Sequence, residues 1–403
     1  MRLTIIGASN EAIHTIECAK ELDIETVAMD GNPEAAGLKA ADIPIVVDIT
    51  NEAATTDILK ELGTDWIQTV PIGRYLTTTG AVNDALGLPG ITKAMAEICT
   101  DKYAFHKTLS GKGLRDCICR KISGGLTESE ADSVLKDLSE NSPVYPMILK
   151  PRYGSGSRGI MMASSEDELK DILADMEEVS EDYVFEECLE GEEYGIDAIV
   201  AGGEFHMILV RDKFNTPFPY RQAVGYISVL PSDPVYKTIS DYTKNVVDVL
   251  GLDECLMHAD ILITDRGPFA IEVSARPSGH NLHNLFTPLS TGVDMAAEYM
   301  RYRKGDPYSF DPKYTKSMMI HYFDLTGTVS VVPDSEVVKK AVEDTGSKLI
   351  KWECNINPGD ELEEVSNGHS LMGRGFYIVE TDGSDRAGFA NVAEAVKELF
   401  VCN

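Results

Sequence analysis

The segment from Met147 to Met162, MILKPRYGSGSRGIMM, places a lysine and a glycine-rich turn between two short apolar runs. The spacing of Gly154, Gly156 and Gly159 matches G-x-G-x-x-G, but in a dinucleotide-binding fold these glycines must open a helix. Here apolar residues follow the turn at once, and a helix start with a capping box comes only at Ser165. The segment is therefore predicted to form a β-hairpin.

The turn of this hairpin offers a backbone that can bind phosphates. Successive backbone N–H groups in such turns form concavities that bind anions, and Lys150 on the preceding strand supplies a fixed cation. No Gly-Lys-Ser/Thr closes the turn, so it is not a P-loop. A hairpin that covers a nucleoside triphosphate is one interpretation, and an ordinary surface hairpin with flexible glycines is the other.

Charge limits the partners of this chain. Its 403 residues include 36 Lys and Arg against 66 Asp and Glu, which gives a formal net charge of −30. Binding to the phosphate backbone of a nucleic acid needs a basic surface, so no nucleic-acid partner is expected. The informative cations are therefore the few that lie inside apolar strands or beside glycines.

The eight cysteines are scattered and contain no C-x-x-C pair, which predicts neither a zinc site nor a disulfide scaffold. The chain opens directly on a strand without a signal peptide, and no apolar run has the length of a membrane span. We therefore expect a cytoplasmic protein without a membrane partner.

Apolar strands alternate with helices over the first 70 residues, which predicts a parallel, doubly wound sheet. The first turn, Gly7 to Asn10, lacks the second and third glycines of a dinucleotide site, so no cofactor is predicted there. Arg74 follows a strand at its carboxyl end, where such sheets gather ligands. It is a candidate for binding a substrate carboxylate, with a solvated surface arginine as the alternative.

The central region carries further candidate side chains. Lys102 falls in the first turn of a helix that Thr100 is predicted to cap, where a cation gains nothing from the helix dipole. The acidic turn 190–193 lies between a short apolar strand and an alternating one. Its carboxylates suit an adenine amino group or ribose hydroxyls, or belong to an ordinary acidic turn. Arg211 ends the apolar run MILVR, and Lys213 lies two residues further on.

A second hairpin is predicted from the strands His258–Thr264 and Phe269–Ala275. Asp260 and Glu272 are equally distant in sequence from Arg266, so we expect them to face each other with Cβ atoms about 4.5–5.5 Å apart. Two carboxylates at this distance repel unless a cation lies between them. Oxygen ligands that leave room for phosphate favour Mg²⁺.

Ser274 and Arg276 are predicted to share a face with Glu272 because side chains alternate along a strand. The planar guanidinium of Arg276 matches phosphate geometry. A metal site beside phosphates is one interpretation of this hairpin. A half-exposed hairpin with unpaired acids on its solvent side is the other.

The order of these features resembles the ATP-grasp superfamily over residues 1–325, in the branch of carboxylate–amine ligases and biotin-carboxylase-like enzymes. A glycine-rich hairpin with a preceding lysine is followed by an acidic hinge, then by an Asp/Glu strand pair with a trailing arginine. The resemblance implies an α/β and α+β multidomain fold. The implied parts are a Rossmann-like N-terminal domain (1–98), an ATP-grasp domain (99–325, with a lid subdomain at 115–185) and a small C-terminal α+β domain (326–403).

The resemblance also implies roles for individual residues. Lys102 and Lys150 would contact ATP phosphates beneath the turn, while Glu186 and the Leu189 backbone would hold adenine and Glu193 the ribose. The implied ATP-binding set is Lys102, Lys150, Gly154, Ser155, Gly156, Ser157, Gly159, Glu186, Leu189 and Glu193. The implied Mg²⁺ set, with Mn²⁺ as an alternative ion, is Asp260, Glu272 and Ser274. Many members have asparagine where Ser274 stands, which implies a weaker second metal site here.

Further candidates concern the reaction itself. The candidate catalytic residues are Arg276, Lys150 and Arg211. The candidate substrate-binding residues are Arg74, Arg276, Ser278, Gly279 and His280. Strand patterns at Lys348–Trp352 and Gly375–Glu380 and a final helix predict a C-terminal part that closes the back of the site.

The implied function is an ATP-dependent carboxylate–amine ligase that acts on small molecules. A substrate carboxylate attacks the γ-phosphate of ATP, and an amine then displaces phosphate from the acyl phosphate to form an amide or peptide bond. Such catalysis rests on positioning and electrostatics, which agrees with a sequence that has no convincing Ser/His/Asp constellation. A carboxylase-type enzyme that uses bicarbonate through carboxyphosphate and a non-catalytic ATP-binding module are the alternatives. A homodimer is left open.

Overall fold

The computed structural model describes residues 1–140, 145–154, 159–176, 179–217, 221–366, 368–381, 383 and 386–403. Numbered in chain order, the strands are β1 Arg2–Ile6, β2 Glu25–Asp30, β3 Ile43–Val46, β4 Trp66–Ile67, β5 Cys119–Ile122, β6 Met147–Pro151, β7 Met161–Ala163, β8 Tyr183–Glu187, β9 Glu192–Ala201, β10 Glu204–Asn215, β11 Ala223–Val229, β12 Cys255–Thr264, β13 Gly267–Ser274, β14 Met318–Tyr322, β15 Gly327–Val331, β16 Lys348–Cys354, β17 Glu361–Leu362, β18 Gly375–Glu380 and β19 Val401–Cys402. The α-helices are α1 Ile13–Glu21, α2 Ala36–Ala40, α3 Glu52–Leu62, α4 Leu76–Leu86, α5 Lys93–Thr100, α6 Lys102–Ser110, α7 Glu128–Glu140, α8 Glu166–Asp175, α9 Pro234–Leu250, α10 Thr287–Thr291, α11 Met295–Lys304, α12 Ser335–Asp344, α13 Gly368–Met372 and α14 Arg386–Lys397.

The N-terminal strands form a four-stranded parallel sheet in the order β3-β2-β1-β4. Parallel neighbours need crossover connections, and helices α1 and α3 are among the segments that supply them. The predicted alternation of strands and helices is confirmed. Strand β4 is shorter than the predicted run to Val70, since its ladder ends where the Gln68 N–H donates to the Thr4 carbonyl oxygen at 3.0 Å.

A second, antiparallel sheet has the order β5-β8-β6-β7. Strands β6 and β7 pair from Met147 with Ala163 to Leu149 with Met161, which confirms the predicted hairpin. Helices α7 and α8 cover this sheet, whose buried residues form a core of their own. We call this unit the lid sheet.

The largest sheet has eight antiparallel strands in the order β13-β12-β9-β10-β11-β14-β18-β16. Its last two strands, β18 and β16, come from residues 326–403, so the central and C-terminal segments share one sheet. The strands predicted at Lys348–Trp352 and Gly375–Glu380 are confirmed as β16 and β18. A small sheet, β17-β15-β19, completes the fold.

The two faces of the central sheet are packed differently. On one face, apolar residues of β9, β10 and β12 form a large core with α5, α6 and α9. On the opposite face, α11 covers only one end of the strands, around Ile199, Ile208 and Leu256. Within the described ranges, no helix combines the length and the apolarity that a membrane crossing requires.

Candidate functional site

Beyond α11, the same face of the central sheet is polar. Strand alternation and register bring polar side chains of β13, β12, β9 and β10 together there. Asp197 of β9 pairs with His258 of β12, and Gly195 of β9 lies between Arg211 of β10 and Asp260 of β12. We call this surface the polar face, formed by Glu193, Asp197, Arg211, Lys213, His258, Asp260, Glu272 and Ser274.

Asp260 pairs directly with Glu272 across β12 and β13, which confirms the prediction. The route to this register differs from the one that the sequence suggested. The turn is shorter, since Thr264 already pairs with Gly267, and a bulge next to Asp260 adds one residue to β13. The shorter turn and the extra residue offset each other, so the two carboxylates still lie side by side.

Lys213 lies between two acids of the polar face. Its Nζ is 2.7 Å from Asp260 Oδ2 and 2.6 Å from Glu193 Oε1. Burial alone would lower the pKa of Lys213, but attraction by Asp260 and then Glu193 raises it well above its usual value. Lys213 is therefore a permanent cation here, and Glu193, the predicted ribose ligand, also accepts from Asn215 Nδ2 at 3.1 Å.

Lys150 lies on β6 as predicted, and its Nζ donates to Glu186 Oε2 at 3.1 Å. The other oxygen of Glu186 accepts from Arg115 at 3.2 Å, and Arg115 Nη1 is 2.8 Å from His106 Nδ1. Burial would raise the pKa of Glu186, but Lys150 and then Arg115 hold it well below its usual range. A hydrogen bond from Glu186 to adenine would thus compete with two cations.

The start of α6 corrects one prediction. Thr100 closes α5, and the N-cap of α6 is Asp101, whose Oδ1 accepts from the backbone of Tyr103 and Ala104 at 3.0 and 3.2 Å. Asp101 is the better N-cap residue, because the Thr100 hydroxyl already donates to a backbone carbonyl of α5. Lys102, the first residue of α6, then points at the hairpin.

Lys102 joins the hairpin to the carboxylate pair. Its Nζ donates to the carbonyl oxygens of Pro151 and Gly154 at 3.1 and 2.8 Å. Burial lowers the pKa of Lys102, Glu272 opposes that decrease, and Lys150 adds to it. The charges of Lys150 and Glu272 therefore both act on Lys102.

The structure describes the two glycines at the ends of the hairpin turn, Gly154 and Gly159. Gly154 and Gly159 have φ angles of +136° and +70°, a region that favours glycine. A Cβ on Gly159 would lie 3.0 Å from the Pro151 ring. The predictions for Ser155, Gly156 and Ser157 lie outside the described residues.

Leu189 lies in the turn between β8 and β9. Residues 187–191 face Thr264–Arg266 of the β12–β13 turn across a cavity of about 440 Å³. Gly191 makes this approach possible, because a Cβ there would lie 2.2 Å from the Ile263 carbonyl oxygen. The backbone predicted to hold adenine thus borders an open cavity.

Arg276 is half-buried beside the carboxylate pair. Burial lowers the pKa of its guanidinium, while Glu272, Glu11 and Asp260 oppose that decrease. Glu11 comes from the N-terminal part of the chain, and its Oε1 accepts from the His280 backbone N–H at 2.8 Å. The loop that follows β13 is thereby tied to the N-terminal sheet.

Ser278, Gly279 and His280 continue that loop. A Cβ on Gly279 would lie 3.3 Å from Glu11 Oε1, so a small residue keeps this contact. His280 has a φ of +60°, and its carbonyl oxygen accepts from the Tyr322 hydroxyl. Ser278 is buried and accepts from Arg211 Nη1 at 3.4 Å.

Arg211 and Asp197 form a buried ion pair beneath this loop. Arg211 is 1% exposed, and Asp197 also accepts from the Thr287 hydroxyl at 2.6 Å. Arg211 therefore supports the loop from below. Arg74, by contrast, is exposed and stacks over the Tyr153 ring at 5.6 Å, next to the lid hairpin.

The carboxylate pair fits a hard divalent cation. Asp260 and Glu272 contribute oxygen ligands, and the Glu272 side chain is 37% exposed. Asp260 is engaged by Lys213, so Glu272 is the more accessible ligand. Ser274 lies one alternation further along β13, opposite His258 and 5% exposed, which makes it the least available of the three candidates.

Sequence reasoning underused Lys213 and missed Arg115 and Glu11. Lys213 carried a signal, since Arg211 and Lys213 share one face by alternation, just as Glu193 and Asp197 do. Only the register of β9 against β10 places these two pairs together. Arg115 and Glu11 lie outside the regular strands and α-helices, where no repeating sequence pattern indicates which residue a side chain will contact.

Parts of the chain are similar to known proteins. Residues 143–283 match the family model of the ATP-grasp domain. An L-arginine-specific L-amino acid ligase of Bacillus subtilis is 22% identical over 255 residues, 59% of this chain and 60% of the relative. Dapdiamide A synthase of Enterobacter agglomerans is 25% identical over 209 residues, 49% of this chain and 47% of the relative. The chain thus spans less than two thirds of the length of these curated relatives.

One solved structure shows how far the fold extends. The crystal structure of an L-amino acid ligase from Bacillus licheniformis superposes with a TM-score of 0.74 at 16% identity, covering 100% of this chain and 98% of the other. A likeness at this identity concerns the fold, which is a mixed α/β multidomain architecture of the ATP-grasp type.

Proposed function

We propose that this protein, whose residues 143–283 match the family model of the ATP-grasp domain, is an ATP-dependent carboxylate–amine ligase that forms an amide or peptide bond. The observation that carries the proposal is the carboxylate pair, Asp260 opposite Glu272, together with Lys102, which hydrogen-bonds to the lid hairpin and whose pKa both Glu272 and Lys150 affect. Cations and acids so arranged can hold a triphosphate and its divalent ion on the polar face.

The domain division belongs to this proposal. The parallel N-terminal sheet, within residues 1–98, would be a Rossmann-like domain that forms one wall of the site through Glu11. Residues 99–325 would be the ATP-grasp domain, with the lid sheet as its 115–185 subdomain. Residues 326–403 would be a C-terminal α+β domain whose strands extend the central sheet.

Nucleotide binding would divide between two ends of the site. Adenine would enter the cavity beside the Leu189 backbone, and the triphosphate would lie towards Lys102 and Lys150 beneath the Gly154–Gly159 turn. Glu186, which lies between the cations of Lys150 and Arg115, would hold Lys150 in place. Glu193 would offer the ribose an oxygen beside Lys213.

Glu272 and Asp260 would hold Mg²⁺, or Mn²⁺, which would offset phosphate charge and polarise the γ-phosphate. The chain's own residues would do the remaining work. Lys102 and Lys150 would orient the phosphates, and the half-buried Arg276 would stabilise the charge that develops as the substrate carboxylate attacks. No nucleophilic side chain is needed, because catalysis then rests on position and charge.

The bond changes balance as follows. A carboxylate oxygen forms a bond to the γ-phosphorus, the bond to the β–γ bridging oxygen breaks, and ADP leaves. The amine nitrogen then bonds to the carbonyl carbon of the acyl phosphate, and phosphate leaves as the nitrogen loses a proton. Ser278, Gly279 and His280 would border the acyl group, and Arg211 would act as a positioning residue through Ser278.

Small-molecule acids and amines are the expected substrates. Arg74 lies at the rim of the lid hairpin, where an exposed guanidinium could meet a carboxylate. The segment between β10 and β11, residues 216–222 (TPFPYRQ), is aromatic and proline-rich in sequence and indicates no single amino acid. We therefore propose the reaction class and leave the pair of substrates to experiment.

The test is ADP and phosphate release from MgATP with panels of amino acids as acids and amines, with product detection by mass spectrometry. We expect release that depends on both an acid and an amine. Lys150→Ala and Glu272→Ala should each abolish turnover while the circular dichroism spectrum stays that of the wild type. Lys170 is an exposed lysine of the lid, and Lys170→Ala should leave turnover unchanged.

Three results would contradict the proposal. Turnover retained in Lys150→Ala or Glu272→Ala would remove the corresponding role. ADP release with bicarbonate alone would indicate a carboxylase-type enzyme. Tight binding of ATP without any turnover would indicate a non-catalytic module.

A further inference from the structure

A second group of ligand-type side chains lies away from the polar face. His14 and Cys18, one turn apart on α1, meet Asp294, the N-cap of α11. His14 Nε2 is 2.9 Å from Asp294 Oδ2, and Cys18 Sγ is 3.5 Å from His14 Nε2 and 3.6 Å from Asp294 Oδ2. Three donor atoms of different chemistry thus form one small triangle.

The triangle has nearly the size of one face of a tetrahedral zinc site. With Zn–N and Zn–O near 2.0 Å and Zn–S near 2.3 Å, the nitrogen–sulfur and oxygen–sulfur edges of a tetrahedron are each about 3.5 Å. The two observed sulfur edges agree with that length. The nitrogen–oxygen edge would widen from its hydrogen-bonded 2.9 Å to about 3.3 Å.

His283 lies next to His14 but outside the group of three residues whose ligand atoms lie within 4.8 Å of one another. It is 1% exposed, and its Nδ1 is bound to the Ser278 carbonyl oxygen. Its Nε2, on the other side of the ring, is buried and has no hydrogen-bond partner among the described residues. The rings of His14 and His283 meet edge to face with centroids 6.3 Å apart.

From this geometry we propose that His14, Cys18 and Asp294 bind one Zn²⁺ ion, and that the unpartnered Nε2 of His283 shifts towards the ion as the fourth ligand. One thiolate and one carboxylate neutralise a divalent cation, and a set with sulfur and imidazole ligands selects zinc over Mg²⁺. The second oxygen of Asp294 accepts from the Ala297 N–H at 3.1 Å, which orients the carboxylate as metal ligands require.

The ion has a way in and a structural effect. The His14 and Asp294 side chains are 24% and 28% exposed, so the site is open on one side, while Cys18 is buried. Zinc would join α1 of the N-terminal part to α11 on the central sheet. Through His283 it would also fix the loop that holds Ser278. The proposal does not depend on the ligase activity.

The experiment uses the full-length chain, reduced, chelator-treated and titrated with Co²⁺ as a spectroscopic stand-in for zinc. We expect one Co²⁺ per chain, with a thiolate-to-cobalt charge-transfer band in the near ultraviolet that one equivalent of Zn²⁺ abolishes. Mg²⁺ in large excess should not displace the cobalt. Cys18→Ser should lose the band and bind more than about 100-fold more weakly.

Cys255→Ser is the matched control, because Cys255 is also a buried free cysteine but lies on β12. It should keep the band and the stoichiometry. His283→Gln should weaken the visible d–d absorption typical of tetrahedral Co²⁺. An absent band at saturating Co²⁺, or a band that survives in Cys18→Ser, would overturn the site. Unchanged visible absorption in His283→Gln would overturn the four-ligand form.

Discussion

Replacing Glu186 by glutamine should loosen the lid sheet. The carboxylate is 4% exposed and has Lys150 at 3.1 Å and Arg115 at 3.2 Å. At 3.1 Å and an effective dielectric constant of about 20, each attraction is worth about 5 kcal/mol before desolvation. Removing one member of a buried ionic group costs about 3–5 kcal/mol in practice, because its partners stay buried without compensation.

Hydrogen exchange followed by mass spectrometry measures this loss where it occurs. For Glu186→Gln we expect amides of β5, β6 and β8 to exchange about 100-fold faster, which corresponds to about 3 kcal/mol. The parallel N-terminal sheet should exchange as in the wild type, since it shares no hydrogen-bond ladder with the lid sheet.

Glu187→Gln is the matched control, one residue further along the same strand. Glu187 pairs with Arg266 at 2.9 Å, and that arginine side chain is 45% exposed. Exposed pairs contribute at most about 1 kcal/mol, so exchange should change less than about fivefold. Equal effects of the two substitutions would refute the argument from burial.

The same variant separates two roles for Glu186. If the carboxylate mainly neutralises Lys150, its removal should leave affinity for a non-hydrolysable ATP analogue unchanged or higher, because a repelling charge near the phosphates is gone. If it accepts a hydrogen bond from adenine, affinity for both the analogue and adenosine should fall. Isothermal titration of both ligands decides between these outcomes.

Two further predictions concern stability. Burial, and then repulsion by Arg115, lowers the pKa of His106 to about 4 from an ordinary 6.5, so the unfolded chain binds a proton more readily. The folded state should therefore keep its full stability above pH 6.5 and lose stability as the pH falls towards 4. His106→Gln keeps an acceptor for Arg115, and its urea midpoint should depend less on pH over that range. Urea midpoints that fall equally with pH in the variant and the wild type would exclude His106 as the cause. Gly191→Ala should lower the urea midpoint, because its Cβ would lie 2.2 Å from the Ile263 carbonyl oxygen, whereas Gly373→Ala meets no atom within 4 Å and should be close to neutral.

Both hairpins were predictable because each couples a local turn to alternating apolar residues. The pairing of Asp260 with Glu272 came out right although the turn was shorter than assumed, because a bulge restored the register. No pattern in one sequence announces such a bulge. Sequence reasoning therefore found the pair but not the way in which the backbone achieves it.

The partners of buried charges were less predictable. Lys213 reaches Asp260 and Glu193 only through the order of β10, β9 and β12 in the sheet, which joins segments far apart in the chain. Glu186 could be read as an adenine ligand because nothing in the sequence shows that Arg115 folds against it. The cap of α6 was misassigned to Thr100 for a simpler reason, since Asp101 beside it is the stronger acceptor.

The shared eight-stranded sheet has a practical consequence for dissecting the molecule. Strand β14 pairs with β11 on one side and with β18 on the other. A fragment that stops after Leu325 would leave the outer ladder of β14 bare, a template for association with other chains. Shortened versions should therefore aggregate when expressed, and deletion from this end is a poor way to isolate the part that carries the polar face.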